Sequence, residues 1–258
     1  MSAALPSLAP APGSRIVIAG GCGGIGRALV IACAAAQLRV LVLDLPASLA
    51  RHPPPPGVLG IAVDAGDELS VTRAFAEVAH LSTTIDGLVN LCGFKLATLT
   101  LAQTSAEIFD EGIAGNLRSA FLLSRAALPL LQQAGGGSIV HVSSGLGSTG
   151  GVGYGPYAIA KGGMNTLVRI LARENAPGIR ANAVAPGLVE TAFTRGGTGR
   201  SDENGSSSVD TQRYVQQVPA GRIAVPQDIV GPILFLLGPA SQFVNGQILH
   251  VNGGAYLP

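Results

Sequence analysis

The chain has 258 residues, of which 47% are hydrophobic and 12% charged, and its formal net charge is +1. A chain of this length can bury one large core, and no internal repeat or linker divides it, so we expect a single domain over residues 1–258. The near-neutral charge and scattered arginines predict no nucleic-acid or membrane partner and leave a small molecule as the expected ligand.

Residues 1–13 are broken by prolines and lack a charged segment followed by an apolar core, so we expect a flexible tail and a cytoplasmic protein. The most apolar stretch, residues 229–240, has about half of the ~20 residues that a membrane span needs. The three cysteines, Cys22, Cys33 and Cys92, have neither disulfide-framework nor metal-ligand spacing. We therefore expect no membrane span and no metal site.

Short β-branched runs alternate with longer helical patterns along the chain. Strands are predicted over residues 15–19, 39–44, 58–64, 86–91, 137–144, 179–185 and 247–251. Helices are predicted near residues 24–37, 67–81, 105–133, 157–175 and 226–238. Apolar strands separated by helices are typical of a parallel sheet covered on both faces. The predicted fold class is α/β, a doubly wound parallel sheet of about seven strands flanked by helices, that is, a Rossmann fold.

Two segments interrupt this rhythm. Residues 51–57, "RHPPPPG", predict a stiff extended connection. Residues 195–211 are polar and rich in glycine and serine, and a loop this long inside a compact domain is usually a lid or disordered. We interpret residues 188–220 as a substrate lid region.

A glycine-rich turn, "AGGCGGIGRAL" at residues 19–29, connects the first strand to the first helix. Small residues let the backbone approach a pyrophosphate, and the free amides of the helix N-terminus favour its negative charge. The glycines fit two fingerprints, GxGxxG through Gly21, Gly23 and Gly26, and GxxxGxG through Gly20, Gly24 and Gly26. The residues alone leave both open.

Asp44 ends the second predicted strand, at the position expected for the acid that binds an adenosine ribose. It is followed by Leu45, and the sequence gives no nearby cation to receive a 2′-phosphate. NAD(H) is therefore favoured over NADP(H). Asp64, after the third strand, could contact the adenine or begin the next helix.

Tyr157 and Lys161 lie at i and i+4 on a predicted helix, so their side chains share one face. An ammonium beside a phenol favours the phenolate and lowers its pKa, which suits general acid/base catalysis. Ser144 and Asn90 follow neighbouring strands, and the carboxyl ends of parallel strands meet in one crevice. The histidines lack triad or ligand spacing, so we expect His141 to have an ordinary packing role.

The ordered set of motifs resembles the short-chain dehydrogenase/reductase family, in its subtype of about 250 residues. The resemblance covers nearly the whole chain and rests on "GGCGGIG", "NLCG", "GNLRSAF", "VSSGLG", "YAIAK", "APGLVET" and "GQILHVNGG". It selects the GxxxGxG fingerprint. It also implies a homotetramer packed through the helices that carry Asn116 and Tyr157.

The resemblance assigns roles to a catalytic set. Tyr157 is implied as the general acid/base, and Lys161 as the residue that lowers its pKa and holds the nicotinamide ribose. Ser144 would orient the carbonyl or hydroxyl, and Asn116 would support a water-linked proton path from Lys161. The expected cofactor contacts are Gly20, Gly23, Gly24, Ile25, Gly26, Asp44, Leu45, Asp64, Ala65, Asn90, Cys92, Gly93, Tyr157, Lys161, Pro186, Gly187, Val189 and Thr191.

These expectations describe an NAD(H)-dependent oxidoreductase that interconverts a secondary alcohol and a ketone. The alternatives are an NADPH-dependent carbonyl or 3-oxoacyl-type reductase and a non-catalytic dinucleotide-binding sensor, against which the intact catalytic set argues. The expected substrate contacts are Ser144, Leu146, Tyr154 and Phe193, in a roomy apolar site.

Overall fold

Seven parallel strands form one sheet in the structure, a computed structural model that describes residues 5–201, 203–207 and 209–257. The strands are β1 Arg15–Ala19, β2 Arg39–Asp44, β3 Leu59–Ala62, β4 Gly87–Asn90, β5 Gly137–Val142, β6 Ile179–Pro186 and β7 Ile248–Val251. Their order is β3-β2-β1-β4-β5-β6-β7, and every neighbouring pair is parallel. The predicted doubly wound sheet is confirmed.

Helices cover both faces of this sheet. They are α1 Gly24–Ala35, α2 Pro46–Arg51, α3 Glu68–Leu81, α4 Ala106–Ile113, α5 Ser119–Gln133, α6 Leu146–Thr149, α7 Gly155–Glu174, α8 Thr211–Val215 and α9 Pro226–Leu237. Alternate strand residues point to opposite faces, so Ile16 and Ile18 pack with α1 and α9, whereas Val17 packs with α3, α5 and α7. The inner strands are buried from both sides, which explains their unbroken apolar runs, whereas the edge strands β3 and β7 are partly exposed.

The strand order reverses between β1 and β4. From β1 the chain first builds outward through β2 and β3, and then crosses to β4 and builds in the other direction. The connections that leave β1 and β4 consequently diverge and open a crevice at the carboxyl ends of these strands. This crevice is where the glycine-rich turn and the residues after β4 meet.

One predicted helix proved to be interrupted. The pattern over residues 105–133 predicts a single helix, but a π-helical segment, Ala114–Arg118, separates α4 from α5. Such segments are frequent at functional sites because they re-aim a side chain within a continuous helix. Asn116 lies in this segment and is fully buried.

The structure adds three short helices, α2, α6 and α8, that the sequence did not predict. Of the predicted tail over residues 1–13, residues 1–4 lie outside the described part, and Ser7 O accepts a hydrogen bond from Ala240 N at 3.1 Å. Two residues of the predicted lid region over 188–220, numbers 202 and 208, also lie outside it. In the described part of the chain, no helix is long and apolar enough to cross a membrane.

Candidate active site

A cavity of about 590 Å³ lies at the carboxyl ends of the strands, above the β1/β4 crevice. Its walls contain every cofactor and substrate contact expected from the sequence except Asn90, and Asn90 and the catalytic candidate Asn116 are both fully buried. The fold therefore gathers residues from most of the chain's length around one space. Among the described residues, no group of His, Cys, Asp and Glu side chains could hold a metal ion.

The glycine-rich turn is packed too tightly for side chains at four positions. Gly20 has a φ of +81°, which favours glycine, and a Cβ at Gly26 would overlap the Gly20 carbonyl oxygen. A Cβ at Gly24 would lie 2.5 Å from Thr191 Cγ2. At Gly23, by contrast, the nearest atom would be Gly20 O at 3.4 Å, which is an ordinary contact. A Cβ at Gly21 would lie 2.7 Å from Val42 Cγ1, so every glycine of the GxxxGxG fingerprint is tight, whereas the GxGxxG fingerprint includes the open position Gly23.

Asp44 lies directly beside this turn. Its Oδ2 accepts a hydrogen bond from Cys22 N and its Oδ1 accepts one from Leu45 N, both at 2.8 Å. These bonds fix the carboxylate in the cavity wall, where a ribose hydroxyl could donate to its remaining lone pairs. Arg27, which the sequence did not single out, donates from Nη1 to Cys22 O at 2.9 Å. The cation and the acid are therefore both hydrogen-bonded to the backbone of Cys22 in this turn.

Tyr157 enters the cavity from the first turn of α7, with its ring 5.7 Å from that of Phe193. Burial raises the pKa of Tyr157 to about 12, and a hydrogen bond with Ser144 acts in the opposite direction. The expected lowering of this pKa is therefore wrong for the ligand-free protein. Spacing identified a nearby ammonium but could not register the cost of burying a phenolate.

Lys161 is 3% exposed and donates from Nζ to Val142 O at 2.9 Å. Its Nζ lies 5.6 Å from the centre of the Tyr157 ring, so the two groups are close without touching. Burial lowers the pKa of Lys161 to about 8, and the neighbouring Cys92 acts in the opposite direction. An ammonium that titrates near neutral pH can exchange protons with a neighbouring donor or acceptor.

Asn116 faces Lys161 from the π-helical segment. Its Nδ2 donates to Phe94 O and Gly112 O, both at 3.0 Å, which fixes the orientation of the amide. Its Oδ1 is the one buried side-chain N or O atom among the described residues without a hydrogen-bond partner. A Cβ built on Gly93 would lie 2.5 Å from this oxygen and 3.2 Å from Lys161 Nζ, so both atoms border the same small space. A bridging water would fit these polar partners.

A buried hydrogen-bonded chain supports the turn after β4. Asn90 Oδ1 accepts from Cys92 N at 2.9 Å, and Asn90 Nδ2 donates to His141 Nδ1 at 3.1 Å. His141 Nε2 lies 3.0 Å from Ser124 Oγ, whose hydroxyl donates to Ala120 O. Burial lowers the pKa of His141 to about 3, so it is neutral, with its proton on Nε2. His141 therefore has a specific polar partner on each side.

The lid region and the loop after β4 bring two further cations to the cavity wall, Lys95 and Arg200. The Arg200 guanidinium stacks on the Phe94 ring at 3.6 Å and pairs with Glu111 at 2.9 Å. Lys95 Nζ lies 5.3 Å from the centre of the Tyr154 ring. Sequence reasoning missed both, although Lys95 is the only lysine besides Lys161.

The lid region also touches the adenosine side of the crevice. Ser48 donates from Oγ to Thr198 O at 3.3 Å, and the α2 residue Arg51 pairs with Glu203 at 3.3 Å. His52 Nε2 lies 3.2 Å from the same Glu203 carboxylate. The lid region therefore packs against α2, next to Asp44, and its Phe193 lies beside the Tyr157 ring.

The combination of this fold, the tight glycine turn and the tyrosine, serine and lysine set defines a dinucleotide-binding oxidoreductase. A family model described as "Enoyl-(Acyl carrier protein) reductase" matches residues 20–256. The chain belongs to the short-chain dehydrogenase/reductase family.

Individual relatives agree with this membership. The chain is 31% identical to the 3-oxoacyl-[acyl-carrier-protein] reductase FabG of Aquifex aeolicus, over 95% of this chain and 98% of that protein. It is 30% identical to an NADPH-dependent aldehyde reductase-like protein of Arabidopsis thaliana, over 95% of each chain. The solved structure of a short-chain dehydrogenase/reductase (SDR:Glucose/ribitol dehydrogenase) from Brucella melitensis superposes with a TM-score of 0.84, at 29% identity, covering 97% of this chain and 99% of that one.

The residues present fit a nicotinamide dinucleotide, the cofactor type of this family. Helix α1 begins in the turn without a side-chain cap, so its first amides are available to a pyrophosphate. The positions at which a Cβ would clash form the closely packed cradle that such a group requires. Asp44 lies at one end of the cavity wall and Lys161 lies beside Tyr157.

Proposed function

We propose that the protein is an NAD(H)-dependent oxidoreductase that interconverts a secondary alcohol and a ketone. The observation that carries this proposal is the convergence of Tyr157, Ser144 and Lys161 on one cavity that also contains the glycine turn and Asp44. A binding-only sensor would have no need of a phenol, a hydroxyl and a buried ammonium at the same end of the site. The bound nicotinamide would give or take the hydride.

The chain's own residues would move the proton. In ketone reduction, Ser144 Oγ donates a hydrogen bond to the carbonyl oxygen, and the Tyr157 hydroxyl delivers the proton to that oxygen. A pKa of about 12 keeps the phenol protonated at neutral pH, which prepares the ligand-free site for reduction. In alcohol oxidation the deprotonated Tyr157 oxygen accepts the proton, and the positive charge of Lys161 favours that phenolate. Asn116 Oδ1 would accept a hydrogen bond on the path that restores the proton of Lys161.

A second candidate is an NADPH-dependent carbonyl or 3-oxoacyl-type reductase. Its support is Arg27, whose guanidinium is bonded to the glycine turn and could meet a 2′-phosphate, together with the names of the two relatives. Against it, the Asp44 carboxylate is bonded to the same turn and would repel that phosphate. The ratio of kcat/KM for the two cofactors distinguishes the candidates.

The test of the acid/base role is Tyr157→Phe, which deletes one hydroxyl and keeps the ring. Ketones and secondary alcohols are assayed with both cofactors by absorbance at 340 nm, and NADH binding is measured by its fluorescence. We expect kcat to fall about 10²–10⁴-fold while NADH still binds. Tyr154→Phe removes a hydroxyl from the same cavity and should lower kcat far less. Near-normal kcat in Tyr157→Phe would refute the assignment.

A further inference from the structure

The charges in the cavity wall are unevenly distributed. Among the described lining residues, the carboxylates are Asp44 and Asp64, which lie at the ends of β2 and β3 on the adenosine side. The cations are Lys161, Lys95 and Arg200. Lys95 also lines a smaller depression together with Tyr154 and Tyr157. It therefore lies on the side of the cavity where Tyr157 is proposed to transfer the proton. The substrate side of the cavity is therefore positive.

Lys95 has no acidic partner in the described part of the chain. Its Nζ donates to Thr98 Oγ1 at 3.0 Å and to Leu96 O at 3.3 Å, both neutral acceptors, and no carboxylate of the described residues lies within ion-pair distance. An ammonium has three donors, so one remains. Burial lowers the pKa of Lys95, in line with a cation that lacks a compensating charge.

Arg200 differs from Lys95 in this respect. Its guanidinium is neutralised by Glu111, which is not a lining residue, and is held flat on the Phe94 ring. Phe94 precedes Lys95 in the chain, so the two cations flank the same part of the wall. An anion that reached Lys95 would gain a direct charge-assisted hydrogen bond and a weaker attraction from Arg200.

We propose that Lys95 binds a carboxylate on the substrate, and that the protein acts on oxo acids and hydroxy acids in preference to neutral ketones and alcohols. This inference rests on the proposed function, because it concerns the substrate of the same cavity. A carboxylate supplies the acceptor that the third donor of Lys95 lacks and the charge that its partly buried ammonium lacks. The ring of Tyr154 would contact the carbon chain between the carboxylate and the reacting carbon.

The experiment compares 3-oxobutanoate with its methyl ester, which has the same ketone and no charge. Both are reduced by wild type, Lys95→Met, Lys95→Arg and Arg73→Met, the last removing one positive charge from an exposed position of α3 that does not line the cavity. We expect wild type to prefer the acid by about tenfold in kcat/KM. Lys95→Met should abolish this preference by raising KM for the acid, with a far smaller effect on the reaction of the ester. Lys95→Arg and Arg73→Met should keep it.

Equal kcat/KM for acid and ester in wild type, or an unchanged ratio in Lys95→Met, would overturn the inference while leaving the oxidoreductase function standing. Dihydroxyacetone phosphate provides a further arm, and a preference for it over 3-oxobutanoate would overturn the carboxylate in favour of a phosphate ester. Failure of the proposed function looks different. In that case wild type would reduce neither 3-oxobutanoate nor its methyl ester, and it would reduce no other neutral ketone, with either cofactor.

Discussion

Replacement of Gly24 by alanine should damage the protein far more than replacement of its neighbour Gly23. A Cβ at position 24 would lie 2.5 Å from Thr191 Cγ2 and 2.7 Å from Thr191 Cβ, well inside van der Waals contact. A Cβ at position 23 would meet nothing closer than 3.4 Å, and the φ of −71° and ψ of 173° of Gly23 suit any residue. Gly24→Ala must therefore displace Thr191, whereas Gly23→Ala displaces nothing.

Overpacking of this kind costs about 1–3 kcal/mol. In a chain of about 250 residues each kcal/mol shifts Tm by about 2–4 °C, so Gly24→Ala should lower Tm by about 2–12 °C. Thr191 Oγ1 accepts a hydrogen bond from Phe193 N at 3.3 Å, so its displacement also disturbs the start of the lid region, and the Kd for NADH should rise. Gly23→Ala should leave Tm unchanged or raise it slightly, because alanine restricts the unfolded chain.

Thermal melts of the cofactor-free proteins and NADH titrations measure both effects. Thr191→Ser removes Cγ2 and keeps the hydroxyl, so it should rescue part of the loss in Gly24→Ala, with a coupling energy of at least about 0.5 kcal/mol in a double-mutant cycle. Simple additivity of the two substitutions would mean that the clash with Thr191 is not the cause. Equal damage from Gly23→Ala and Gly24→Ala would refute the GxxxGxG interpretation of the turn.

Two further predictions concern charge. Asp44→Ala should lower kcat/KM for NAD⁺ relative to NADP⁺ by about tenfold or more. The reason is that two like charges about 4 Å apart repel by up to about 4 kcal/mol at an effective dielectric constant of about 20. Leu45→Arg should add to the shift in cofactor preference. A wild type that prefers NADP⁺, or a ratio that the substitutions leave unmoved, would contradict this role of Asp44. Burial lowers the pKa of Lys161 to about 8 from its usual 10.5. Between about pH 8 and 10.5 the unfolded chain therefore binds more protons than the folded chain, so the buried charge destabilises the folded protein fully only below about pH 8. Lys161→Met should accordingly stabilise the protein at pH 7 more than at pH 9.5, as measured by urea unfolding, and a gain that does not depend on pH would show that Lys161 is not buried as a charge.

Most of the sheet could be predicted because its inner strands are buried on both faces and form apolar runs. The predicted bounds of β1 and β2 match the structure, and the others differ by one or two residues at their ends. The short helices α2, α6 and α8 contain four to six residues, too few to show a helical period. The π-helical segment is hidden for another reason, because the apolar pattern continues across it and only the backbone hydrogen bonds change.

Site residues could be predicted where they belong to a regular element or a short motif. Tyr157 and Lys161 share one helix, and Ser144 ends a recognisable strand, so spacing and motif were sufficient to propose them. Lys95 and Arg200 reach the cavity through irregular segments whose paths no periodicity describes. The prediction of a lowered pKa for Tyr157 failed for a different reason. Desolvation depends on everything that surrounds the ring and not on the one lysine four residues away.

The buried chain from Ser124 through His141 to Asn90 gives the three positions unequal evolutionary freedom. Loss of the Ser124 hydroxyl would leave the buried Nε2–H of His141 without an acceptor, so Ser124 cannot change while His141 is present. His141 can be replaced by a residue that still accepts from Asn90, because the Ser124 hydroxyl keeps its bond to Ala120 O. Asn90 is the last to be free, since its amide oxygen holds the backbone of Cys92 at the cavity wall. Substitution in this part of the interior therefore begins at His141, and Ser124 becomes free only after that change.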